Sequence, residues 1–113
     1  MEITNLNGNI LINGDCVTEI EKFGSESMDL SIFSPPFADL YVYSDLLEDM
    51  GNNPDYSTYF THFNYLMPNL HRIMKPGRIV AVHCMDLPIQ KGKEGFVGLR
   101  DFSVHIIESF LNN

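Results

Sequence analysis

Apolar and polar positions change period several times along the chain, and each change predicts an element. Between Thr58 and Met74, residues Tyr59, Phe63, Leu66, Leu70 and Ile73 recur at steps of three and four, with Phe60, Met67 and Met74 widening the stripe. That spacing places them on one face of a long helix. Ser57 or Thr58 would cap its start, and Lys75-Pro76-Gly77 would stop it. Pro68 is discordant, because an interior proline forfeits a helical hydrogen bond. Ser27 to Phe33 alternates instead, with Met28, Leu30 and Ile32 as the apolar face of a strand. Ile79 to Cys84 is a nearly continuous apolar run, the pattern of a strand covered on both faces.

The flanks are shorter. Asn9 to Ile12 reads as a strand between the turns Asn7-Gly8 and Asn13-Gly14-Asp15. Val17, Ile20 and Phe23 suit a short helix over 16–23, with Gly24 just past its end. Asp101 or Ser103 would cap a last helix whose stripe is Val104, Ile107 and Phe110. Residues 38–57 look irregular, and residues 86–100 loop-like and basic. Alternating strands and helices predict an α/β layer fold, a partial Rossmann-like, mostly parallel sheet flanked by helices. Ligands in such sheets bind at the carboxyl ends of the strands. Gly14-Asp15, Ser34-Pro35-Pro36-Phe37 and Met85-Asp86 would then open on one edge.

At 113 residues there is room for one domain, 1–113. Apolar residues at 44% and charged residues at 19% exclude disorder and a disulfide scaffold. Cys16 and Cys84 form no CxxC pair, so a reducing, cytoplasmic setting is the expectation. No apolar run reaches the roughly 20 residues of a membrane helix, and no membrane partner is expected. The net charge of −8 is uneven: residues 1–55 carry −10, and residues 56–113 carry +2. That balance argues against this chain alone gripping a phosphate backbone, which takes clustered Lys and Arg.

The chemistry concentrates in Ser34-Pro35-Pro36-Phe37. Two prolines make a stiff turn that cannot continue a ladder. The Ser34 hydroxyl and the Pro35 carbonyl could point outward as two acceptors, with Phe37 as a flat apolar face beside them. Acceptors plus a stacking ring suit a planar ligand bearing an NH₂ group, such as a flipped nucleobase. The bland alternative is a rigid strand-ending turn with a buried Phe.

The ordered set of motifs resembles the DNA methyltransferases that modify exocyclic amino groups, the cytosine-N4 and adenine-N6 enzymes. The matching stretches are Gly14-Asp15-Cys16, Met28-Asp29-Leu30-Ser31-Ile32-Phe33, Ser34-Pro35-Pro36-Phe37, Leu70 to Arg78 and the strand Ile79 to Cys84. They correspond to a Gly-Asp strand end, a "VDLI" strand, a (D/N/S)PP(Y/F/W) motif and an R-x-L-K-P-G-G helix stop. Gly98-Leu99-Arg100-Asp101-Phe102-Ser103 is similar to a tail in phage-type members. The resemblance implies methyl transfer from S-adenosylmethionine to DNA, of the kind used in restriction–modification. Ser34, Pro35, Pro36 and Phe37 would be the catalytic motif, with Ser34 and the Pro35 carbonyl accepting from the amine and Phe37 stacking on the base. Asp15 and Ser34 would face the cofactor, and Tyr41 and Tyr43 would close over the base. A Ser at the head of the motif leans toward cytosine.

Two family features are missing. No F-x-G-x-G loop for the cofactor's methionine end is found, Gly92-Lys93-Glu94-Gly95 being a basic loop of another kind. No target-recognition insert is found either. The expectation is therefore a partial catalytic domain of a longer enzyme, with poor cofactor binding of its own. The rival readings are a non-catalytic α/β interaction module, and a methyltransferase acting on RNA or a protein amide. His62 and His71, nine residues apart, lack the spacing of a paired metal site, and no metal is expected. His83 could line the crevice but reads more simply as a packed strand residue. Arg72, Lys75, Arg78, Lys91, Lys93 and Arg100 read as solvated cations. An open sheet edge could pair copies of the chain.

Overall fold

Asn7-Gly8 is where the backbone first turns, and the sequence permits it. Asn7 (φ 53°) and Gly8 (φ 83°) are both left-handed, the requirement of a two-residue hairpin loop. They join β1 (Glu2–Leu6) to β2 (Asn9–Asn13), antiparallel with Ile3 opposite Ile12. The computed structural model describes residues 2–36, 56–89 and 98–113. After β2 come α1 (Cys16–Glu19) and a 3₁₀ turn (Ile20–Lys22), then β3 (Met28–Phe33), α2 (Tyr56–Ile73) and β4 (Met74–Val82). The short strands β5 (Leu87–Ile89) and β6 (Gly98–Arg100) pair antiparallel, and α3 (Phe102–Leu111) closes the chain.

The expected α/β alternation is present, but the expected mostly parallel sheet is not: among the described residues β3 and β4 pair parallel, while β1–β2 and β5–β6 pair antiparallel in separate two-stranded sheets. The Gly14-Asp15 end therefore belongs to a hairpin strand and does not share a sheet with the other two carboxyl-end turns. Strand β1 escapes the sequence pattern because Ile3 and Leu6 make too sparse an alternation. Its hairpin is exposed along nearly all its length.

Helix α2 supplies the core. Tyr59, Phe63, Leu66, Met67, Leu70 and Ile73 are buried on one face, as the periodicity predicts. The helix runs through Pro68 unbroken. Phe102 and Ile106 of α3 join it, with Val17, Ile20 and Phe23 packed from the chain's beginning. On α3 the stripe is shifted from the expected one. Phe102, Ile106 and Ser109 face in, whereas Val104 and Ile107 face solvent. Ser103 anchors the start of that helix on Asp86, and this sets its rotation.

The strand β3 also turns opposite to its pattern. Leu30 and Ile32 are exposed (55% and 71%), while Phe33 packs against the core. Ile79 on β4 is 66% exposed, so this strand is not covered on both faces by the described residues, while Val80 and Val82 face the core. Met28 pairs with Met74 but Leu30 pairs with Ile79, so the register shifts between them, near Gly77 (φ 76°). Met28 packs against the core, whereas no described element covers Leu30 and Ile32. Ile32→Thr should change stability by no more than about 0.5 kcal/mol, as for a solvent position. Phe33→Ala should cost about 2 kcal/mol, half the penalty of a fully buried Phe. Urea midpoints compare the two directly, and an equal loss would place Ile32 inside.

Arg72 is not a solvated cation. Its guanidinium donates to the carbonyls of Phe23 (2.6 Å), Ile20 (3.1 Å) and Glu21 (3.4 Å), and to Asn69 Oδ1 through Nε (3.0 Å). The fork staples the end of the 3₁₀ turn to α2, a task suited to the five fixed donors of Arg. The Arg72 and Ile73 carbonyls then accept from the Glu26 and Ser27 N–H groups, which leads the chain into β3.

Candidate active site at the carboxyl end of the parallel pair

The register that ends β3 and β4 builds the site. Phe33 lies opposite Val82, and the His83 N–H donates to the Phe33 carbonyl at 2.9 Å, carrying the ladder one residue further. Ser34 and His83, forty-nine residues apart in sequence, therefore meet where the strands end. The Ser34 hydroxyl donates to the His83 carbonyl (3.0 Å) and lies 3.2 Å from His83 Nδ1. Both residues are exposed, so the hydroxyl stands at the surface of the strand end.

The prolines hold the turn from behind. Pro35 is buried, and the Pro36 carbonyl accepts from the Tyr59 hydroxyl at 2.7 Å. Tyr59 is wholly buried on α2, stacked on Phe63 with 12° between ring planes. A core side chain thus fixes the turn, and its polar tip reaches the site. Among the described residues no hydrogen bond to the Pro35 carbonyl is found. Phe37, Tyr41 and Tyr43 lie outside the described residues.

Asp15 sits apart from Ser34. Its Oδ1 accepts from the Val17 N–H (3.1 Å) and caps α1, and its carbonyl accepts from the Thr18 hydroxyl. Beside it, Gly14 leaves room for Glu19, whose Cγ would lie 3.1 Å from an added Cβ. Gly14 and Cys16 nevertheless border a cavity of about 320 Å³ reaching Leu30 and Ser31 on β3, with Phe23, Leu66 and Leu70 as its floor. Its size is that of small-ligand sites, and its lining is mostly apolar. Ser31 lies about 10 Å from Ser34 along the strand, at roughly 3.3 Å per residue.

A larger basin of about 600 Å³ lies at the opposite end of the pair, bordered by His71, Arg72, Lys75 and Arg78. Its cations are engaged within the chain. Lys75 Nζ and Arg78 Nε lie 3.0 and 3.6 Å from Asp29, holding that carboxyl below its usual range, with Lys75 the larger influence. This basin is remote from Ser34 and forms no part of its chemistry.

Two thiols approach the two turns. Burial, then the Asp15 carboxylate, raises the Cys16 thiol's pKa above its ordinary value; burial and Asp86 do the same to Cys84. Neither supplies a thiolate nucleophile at neutral pH. Asp86 itself accepts from the Ser103 hydroxyl (2.6 Å) and N–H (3.1 Å), which lower its carboxyl below the usual range. A depressed carboxyl stabilises the fold above its unfolded pKa and loses that contribution as pH falls through the folded pKa. Below about pH 4, Tm should therefore fall less steeply in Asp86→Asn than in wild type. Parallel slopes would mean that Asp86 does not carry the acid sensitivity.

His83, read from the sequence as able to line the crevice but more simply as a packed strand residue, is instead exposed beside Ser34, and the Tyr59 hydroxyl was not foreseen as a contributor. The signal for His83 was its place at the polar end of the apolar run of β4. Once β3 and β4 are neighbours, that position faces Ser34.

No helix among the described residues is long and apolar enough to cross a membrane. No family model matches the chain, and no curated protein matches it. Its fold is similar to a crystal structure from Thermus thermophilus described as a "putative DNA modification methylase", with a TM-score of 0.57 at 19% identity. The likeness covers 85% of this chain and 38% of that protein, so this chain spans well under half the length of its structural neighbour. The small α/β fold, with its parallel pair, is thus similar to a methylase fold.

Proposed function

We propose that this chain carries the amino-acceptor site of an S-adenosylmethionine-dependent DNA methyltransferase acting on the exocyclic amine of cytosine or adenine. The observation that carries the reading is an exposed Ser34 hydroxyl at the carboxyl end of a parallel strand, on a turn anchored by Pro35 and Tyr59. The methylase-like fold supports it, as does the order β3–α2–β4 with its two strands parallel.

An exocyclic amine is a poor nucleophile because its lone pair is delocalised into the ring. Ser34 Oγ and the Pro35 carbonyl would accept its two N–H bonds and localise that pair on nitrogen. Phe37 would stack on the flipped base, with Tyr41 and Tyr43 closing over it. When bound, the cofactor would supply an electrophilic methyl group on a positively charged sulfur. Ser34 Oγ and the Pro35 carbonyl would hold the amine nitrogen toward that group, and the amine would shed a proton once methylated. Ser34 is a positioning acceptor, and direct transfer to the amine needs no covalent enzyme intermediate. Alignment of this kind contributes about 7–11 kcal/mol in well-oriented systems.

The cavity beside Gly14 and Cys16 fits the flat apolar end of the cofactor, and it lies on the strand that leads to Ser34. Asp15 would serve through the turn it caps. The test is incorporation of label from methyl-labelled S-adenosylmethionine by the complete gene product. DNA should be labelled, while label confined to RNA or to protein would replace this reading with one of its rivals. The exposed Leu30, Ile32 and Ile79 favour a second reading, an interaction module without catalysis. Micromolar binding of S-adenosylmethionine in calorimetry would oppose it.

A further inference from the structure

A hydroxyl has one proton to give and two lone pairs to receive with. At Ser34 the proton has a natural acceptor in the His83 carbonyl, 3.0 Å away, an oxygen that can only accept. The same hydroxyl oxygen lies 3.2 Å from His83 Nδ1. With the hydroxyl proton on the carbonyl, a bare Nδ1 would set lone pair against lone pair. A protonated Nδ1 turns that contact into a second hydrogen bond, this time toward Oγ. One Oγ lone pair then remains, and the exposed strand end leaves it toward solvent.

We propose that His83 is the positioning residue of this site: its protonated Nδ1 donates to Ser34 Oγ while its carbonyl takes the hydroxyl proton. Ser34 is thereby held as an acceptor toward an incoming NH₂ group. The proposal rests on the amino-methyltransferase reading for its ligand, and on the ladder geometry for its hydrogen bonds. Without the imidazole only the carbonyl of residue 83, which any side chain there retains, holds the hydroxyl; Oγ is then less firmly fixed, and rotamers that offer its proton to the amine become accessible. That proton would draw on the lone pair the reaction uses. Both the neutral Nδ1–H tautomer and the imidazolium provide the donor, so the device does not depend on a charge.

Nitrogen-15 NMR of the histidine rings in the 113-residue chain tests the hydrogen bonds without any turnover. At about pH 8, where an ordinary imidazole is neutral, His83 should show a protonated Nδ1, and Ser34→Ala should move it toward the Nε2–H tautomer. A bare Nδ1 in wild type, or a ring unaffected by Ser34→Ala, overturns the proposal. In methyl-transfer assays of the complete gene product, His83→Ala should lose about 10²-fold in kcat with KM for S-adenosylmethionine unchanged. His83→Asn, whose side-chain amide can stand where Nδ1 stands, should recover about tenfold of that loss. Equal losses in the two variants also overturn it. A wild-type protein that transfers no methyl group refutes the methyltransferase reading instead, and the ring nitrogens then judge the hydrogen bonds alone.

Discussion

Ser34→Ala should abolish methyl transfer by the complete gene product, a fall of at least about 10³-fold in kcat, equivalent to about 4 kcal/mol. The fold should survive. Ser34 is exposed, and its hydroxyl bonds only the end of the β3–β4 ladder, whose backbone hydrogen bond from His83 to Phe33 is untouched. Loss of one exposed hydroxyl contact costs at most about 1 kcal/mol. Far-UV circular dichroism and Tm should therefore match wild type while the rate collapses. The separation matters, because the same result in a destabilised variant would say nothing about the amine. Retained turnover would remove Ser34 from the mechanism and leave the turn as a rigid strand end.

Phe63→Ala should have the largest effect on stability, about 3–5 kcal/mol. Phe63 is wholly buried in the middle of α2. Its ring stacks on Tyr59 at 6.1 Å and meets Phe60 and Phe110 edge-on at 6.1 and 6.5 Å. Such aromatic contacts add to the area buried. The cavity left behind would border Tyr59, whose hydroxyl holds the Pro36 carbonyl. A small domain commands only about 5–15 kcal/mol in total, so Tm should fall by on the order of 15 °C. The variant should also lose transfer activity at temperatures where it is still mostly folded, since the anchor of the Ser34 turn has loosened. A fall of under about 1 kcal/mol, the size of an average substitution, would mean that this aromatic cluster is not the centre of the core.

The parts legible in the sequence were those in which one local pattern decides the outcome. The α2 stripe is the clearest, because buried aromatic and aliphatic residues recur along a helix of eighteen residues. The Asn7-Gly8 turn was also readable, since both residues tolerate a left-handed backbone. The face presented by β3 was not. Its alternation is visible, but which of its residues are covered depends on α2 and β4, elements far along the chain. The rotation of α3 hid for a similar reason, as it is set by the Ser103–Asp86 hydrogen bonds and not by the stripe of Val104 and Ile107. At the candidate site the short motif named Ser34 and the prolines, whereas Tyr59 and His83 reach them through packing and strand register. Phe37, Tyr41 and Tyr43 fall outside the described residues, and their part in base stacking rests on the motif resemblance.

The most direct test is the chemical identity of the product. DNA incubated with the complete gene product and S-adenosylmethionine is digested to nucleosides and analysed by mass spectrometry. The account predicts N4-methylcytosine or N6-methyladenine, formed with wild type and absent with Ser34→Ala. Methylation at a ring carbon would contradict it, because that chemistry runs through a covalent adduct with the base and not through an exocyclic amine held at Ser34.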